Sequence, residues 1–118
     1  MKRAFTIALL FFASAAHADD WTRADTYRQS SVTALFVADW AQTKYLITRN
    51  GRHEKNIFLG EHPSAGQVNA YFAASAVGHA AISAILPRDW RDGWQYVWIG
   101  IEFGATVRNH RMGIKMDF

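Results

Sequence analysis

From Val68 to Leu86 the chain runs nineteen residues without a formal charge, and this stretch limits what the fold can be. Ser64-x-x-Gln67 before it has the spacing of a capping box, and Pro87 after it is a residue no helix interior accepts. The spacing predicts an alanine-rich helix over about 64–86. A helix that is uncharged all round belongs in a protein core or in a bilayer.

Two more helices follow from similar punctuation. Thr22-Arg23-Ala24-Asp25 is an acidic capping box and opens a helix through Val32, Leu35, Phe36 and Trp40 to about residue 48, before Asn50-Gly51. Asp89 is the expected N-cap of a third helix, which carries Trp94, Val97, Trp98, Ile101 and Val107 to about residue 109. The tail from Gly113 to Phe118 alternates apolar and polar residues, but a single strand makes no barrel, so it reads as a short extended C-terminal tail. The sequence therefore predicts an all-α fold, a three-helix up-down-up bundle with helices at about 22–48, 64–86 and 89–109. Its 118 residues make one domain.

The N-terminus reads as an address. Met1-Lys2-Arg3 is positive, Ala4 to Ala16 is apolar, and Ala16-His17-Ala18 has the small-x-small form that signal peptidase accepts. The expectation is a cleaved signal peptide over 1–18 and a mature domain over 19–118. Without Lys2 and Arg3 the formal charge falls from +3 to +1, too little for a basic nucleic-acid face. The absence of cysteine excludes disulfides, thiolate metal sites and cysteine nucleophiles. No phosphate-cradling glycine loop is present, and Ser64, Ser75 and Ser83 lack a nucleophile elbow. No cofactor is implied, and an enzyme is disfavoured.

Several features point to a membrane. Gly66, Ala70, Ala74 and Gly78 recur every four residues, and Gly100-x-x-x-Gly104 repeats the device, as close-packing membrane helices require. If all three helices cross, the cytoplasmic side carries Lys44, Arg49, Arg52, Lys55, Arg108, Arg111 and Lys115. The outer side keeps Arg23, Arg28, Arg88 and Arg91, which obeys the positive-inside rule. Trp21, Trp90 and Trp94 then mark the outer interface, with Tyr45 and Tyr71 at the inner one. Against this stand Asp39 and Gln42 inside the first helix and an overall mean hydropathy of -0.12. The expected location is the bacterial inner membrane, in preference to a soluble bundle in the periplasm. The expected partners are membrane lipid and either a homo-oligomer or an envelope protein.

One polar constellation stands out. Asp39, His79 and Glu102 interrupt apolar stretches, one per helix, and each heads a stripe at helical spacing: Asp39 with Gln42 and Thr43, Ser75-His79-Ser83, and Gln95-Glu102-Thr106-Asn109. Counting ~1.5 Å per residue from Ser30, Pro87 and Arg91 puts all three ionisable groups about 12 to 17 Å deep. The expectation is one buried Asp-His-Glu network that fixes the helix register, with a proton relay, a metal site held by Asp39, His79 and Glu102, or a small membrane enzyme as its functional alternatives. The spacing lacks the paired ligands on one helix that a metal site usually shows.

The strings Asp39-Trp40-Ala41-Gln42-Thr43, Glu54-x-Asn56, Leu59-Gly60-x-His62-Pro63-Ser64, Val68-x-x-Tyr71-Phe72, Leu86-Pro87 and Trp94-Gln95-Tyr96 resemble an uncharacterised family of small signal-bearing helical envelope proteins of Gram-negative bacteria and their phages. The resemblance covers most of the mature chain, and departs from the family at Asn56-Ile57, where members often have Asn-Pro. It implies that Glu54, Asn56 and His62-Pro63-Ser64 organise the loop between the first two helices. It also implies a phage or prophage setting, with a lysis or exclusion accessory as a further alternative, and carries no catalytic role.

Overall fold

The structure is a computed structural model that describes residues 21–50 and 63–118. The expected signal peptide and the loop residues Glu54, Asn56 and His62 lie outside the described residues. Among those described, the chain forms three α-helices: α1 (Arg23–Tyr45), α2 (Ala65–Ile85) and α3 (Arg88–Arg111), with a π-helical turn over Leu46–Asn50 after α1.

Both capping boxes form. The Thr22 hydroxyl accepts from the Asp25 amide at 3.2 Å while the Asp25 carboxylate accepts from the Thr22 amide at 2.8 Å, and Ser64 and Gln67 exchange the same pair of bonds at 3.1 and 2.8 Å. Asp89 is not the N-cap of α3. Leu86 is extended, Pro87 with φ -56° takes the cap position without a side-chain bond, and Asp89 falls in the first turn, where its charge still complements the helix dipole. α3 runs two residues past the expected end and closes with a Schellman motif. Gly113 at φ +80° lets its own amide reach His110 O and the Ile114 amide reach Asn109 O, both at 3.0 Å. The tail then lies on the bundle, with Ile114 buried and the Asp117 amide donating to Ala41 O at 2.9 Å.

Helix directions follow from the contacts. Gln29 meets His79 and Ser83 whereas Trp40 meets Asn69, so α1 and α2 are antiparallel; Asp25 meets Arg91 whereas Gln42 meets Thr106, so α1 and α3 are parallel. This is the up-down-up order. α1 lies in the middle, packed most extensively on α3 and then on α2, while α2 and α3 touch least. Val32, Phe36, Val68 and Phe72 form the apolar centre, flanked by Trp40, Tyr71, Trp98 and Ile99.

The small-residue stripes do not pack these helices together. A Cβ added at Gly78, Gly100 or Gly104 meets nothing within 4 Å, and at Gly66 only the Ser64 hydroxyl at 3.9 Å, while Ala70 and Ala74 are exposed. The reason is angular. Val68 and Phe72, and on α3 Gln95 and Glu102, define the inward faces, and residues two positions away point roughly 200° round the helix.

Candidate functional site

The interior is as polar as it is apolar. Asp25, Gln42, Thr43, His79, Ser83, Arg91, Gln95 and Glu102 are all buried, and they fall into three separate clusters along the bundle.

The first cluster joins the start of α1, the end of α2 and the start of α3. Arg91, 0% exposed, donates from Nη1 to Asp25 Oδ2 at 3.1 Å, from Nε to Ser83 O at 2.7 Å and from Nη2 to Leu86 O at 3.1 Å. It thus caps the C-terminus of α2 from the neighbouring helix while ion-pairing with α1. Arg28 pairs with Asp25 Oδ1, with Asp92 Oδ1 at 2.6 Å and with Gln95 Oε1 at 2.8 Å, and Gln95 Nε2 returns to Asp25 O at 3.2 Å.

The second cluster surrounds His79. Its ring stacks on Trp94, with centroids 4.9 Å apart and an angle of 15°, and meets Phe36 and Trp98 edge-on at about 6 Å. Nδ1 lies 3.1 Å from Gln29 Oε1, and Nε2 is buried with no hydrogen-bond partner among the described residues. Ser83 Oγ lies 2.8 Å from the same Gln29 oxygen and 2.9 Å from His79 O. Trp94, expected at the outer interface, belongs to this cluster instead.

The third cluster lies deeper. The Asp39 and Glu102 carboxyls are neighbours across α1 and α3. Thr43 Oγ1 is 3.5 Å from Asp39 Oδ1, and Gln42 bridges Thr106 O and Asn109 Nδ2 at 3.1 Å each. Glu102 Oε2 and Thr106 Oγ1 are buried without a hydrogen-bond partner among the described residues.

The single Asp-His-Glu network expected from the sequence is therefore divided. Asp39 and Glu102 meet, with Gln42, Thr43 and Thr106 beside them. His79 and Ser83 sit level with Gln29, ten residues and hence ~15 Å along α1 from Asp39, and Ser75 is half-buried on α2, one turn from His79. Among the described residues, no three His, Asp or Glu side chains converge in a way that would hold a metal ion. The error lay in the starting level. Taking Ser30 as the outer end of α1 ignores Asp25, which is the residue level with Arg91.

Asp25, Arg28 and Arg91 were missed as a site because each was read as an end residue. One signal was available: Asp25 lies seven residues before Val32, and Arg91 four before Gln95, so they extend the inward stripes by two turns and by one. Pro63 is buried and Ser64 caps α2, which is where the described part of the expected loop motif stands. No family model, curated protein or solved structure matches the chain.

Proposed function

We propose that the chain is an integral membrane three-helix bundle of the bacterial envelope, inner membrane in preference to periplasm, with a structural or interaction role. The observation that carries this is an inverted distribution of charge. Between Asp92 and Arg108, about 24 Å of helix, every exposed residue of α3 is uncharged, Val97 at 59% and Phe103 at 60% exposure among them, while Glu102 points inward. The same holds on α1 between Arg23 and Lys44, about 32 Å, where Asp25 is buried, Arg28 is held in ion pairs and Asp39 faces Glu102. α2 has no charge at all. These lengths suit a hydrocarbon core of ~30 Å.

In water, an outward face of Tyr96, Val97, Ile101 and Phe103 over an interior of Arg, Asp, Glu, Gln and His runs against the usual partition. In lipid it is the economical arrangement, because polar side chains face protein and apolar ones face acyl chains. Among the described residues, only α2 is by composition long and apolar enough to cross a membrane. On α3 inward polar residues lower the hydropathy without entering the exposed belt, and on α1 the exposed Thr26, Ser30, Ser31 and Thr33 lower it further without adding charge. Exposed Trp90, Trp21 and Tyr27 at one end suit an interfacial aromatic girdle. The open glycine faces of α2 and α3 leave room for a neighbouring helix, either a second copy or an envelope partner.

Carbonate extraction of membranes is expected to leave the protein in the pellet, and release into the soluble fraction would reject the proposal. Val97→Lys separates the cases further. It costs roughly 2.5 to 3.5 kcal/mol in a bilayer and within about 0.5 kcal/mol on an exposed aqueous helix.

A second reading, proton exchange through the bundle, is favoured by the neighbouring Asp39 and Glu102 carboxyls on α1 and α3, a pair that a shared proton would relieve of charge repulsion. The unpartnered Glu102 Oε2 and Thr106 Oγ1 lie beside it. Infrared spectroscopy is expected to show a protonated-carboxyl band that Glu102→Gln removes; an unchanged spectrum would eliminate this reading.

A further inference from the structure

An apolar groove of about 320 Å³ opens between α1 and α2, lined by Phe36, Val37, Trp40, Phe72, Ala73 and Ala76. That volume lies at the lower end of the ~300–1,000 Å³ in which small ligands bind. It runs along the outward, uncharged belt, and its direction is fixed by its two ends. At the end nearer the start of α2, the Trp40 indole donates to Asn69 Oδ1 at 2.8 Å, and the Lys44 ammonium lies 4.7 Å from the centre of the same indole. From there to Ala76 the walls carry no polar side chain.

The mouth is electropositive for a second reason. Asn69 lies five residues into α2, so the N-terminus of that helix opens within ~8 Å of the mouth along its axis. The capping box engages the Gln67 amide, while the first-turn amides of Ala65 and Gly66 have no intrahelical acceptor, and both residues are exposed. A helix N-terminus beside a lysine favours a phosphate. Asp117, the acid on the overlying tail, is directed to Thr48 Oγ1 at 3.2 Å.

An apolar slot of this size, ending in a cation and a helix N-terminus at the edge of an uncharged belt, matches one chemistry. We propose that the α1–α2 groove binds one acyl chain of an anionic phospholipid, whose phosphate is met by Lys44 and the first turn of α2. The inference rests on the membrane reading above and goes beyond it by naming a site, a ligand class and a headgroup preference.

The test uses the full chain purified in detergent and examined by native mass spectrometry with added phosphatidylglycerol or phosphatidylcholine. The wild type is expected to retain one phosphatidylglycerol, with about fivefold preference over phosphatidylcholine, the effect of one basic residue near a lipid surface. Ala73→Trp, which fills the slot, is expected to lower retention of both lipids. Lys44→Gln is expected to keep phosphatidylcholine retention and bring phosphatidylglycerol down to it. Unchanged retention in Ala73→Trp, an intact preference in Lys44→Gln, or a lipid-free dimer that Ala73→Trp dissociates would each overturn the proposal. Carbonate extraction of the same variants keeps the two claims apart. A protein that stays in the membrane but retains lipid equally well with a filled slot removes the groove alone, whereas a protein that is extracted removes the membrane reading.

Discussion

Arg91 divides its guanidinium between a carboxylate on α1 and two main-chain carbonyls at the end of α2, which ties the three helices together at one level. Removing one partner of a buried ion pair leaves the other charge uncompensated, so Asp25→Asn is expected to cost roughly 3 to 5 kcal/mol in reversible unfolding from detergent. His79→Gln, which keeps a hydrogen-bonding group but loses the stack on Trp94, is expected to cost about 0.5 to 1.5 kcal/mol and to change near-ultraviolet circular dichroism while leaving helix content intact. A group's facing direction was legible from the sequence, since Gln42, His79, Ser83, Gln95 and Glu102 all turn inward as their spacing requires. Which of them meet was not, because axial register depends on Asp25 and Arg91, partners 66 residues apart.

Among the elements, helix starts were the most readable feature, and for a local reason. A capping box involves four consecutive residues and needs no tertiary information, so Thr22–Asp25 and Ser64–Gln67 announce α1 and α2 directly. Ser64→Ala is expected to destabilise the protein by about 1 kcal/mol in the same unfolding measurement, through the lost bond to the Gln67 amide. The start of α3 was less legible because Pro87 fixes the backbone without offering a cap, and Asp89 two residues later supplies the familiar cue at the wrong position. The small-residue stripes misled for a different reason. Periodicity of four marks a face without saying what lies against it, and here the glycines of α2 and α3 look outward.

For the whole molecule, three helices put the two ends of the bundle on opposite sides of any membrane it crosses. The chain has no cysteine, so single cysteines can report this without background. A cysteine at Arg88 is expected to react with a membrane-impermeant maleimide from the outer face, and one at Lys115 only after the membrane is opened. Equal labelling of both in intact cells would rule out an odd number of crossings. The central place of α1 has a bearing on how such a bundle is made. Of the three described helices, the first to be translated contacts both of the others, yet Arg91, its ionic anchor on α3, is translated 66 residues after Asp25. Closure must wait for the last third of the chain, so a nascent protein halted after α2 would hold a helix pair whose polar face at Asp25 and Gln42 still has no counterpart from α3, a ready target for quality-control proteolysis.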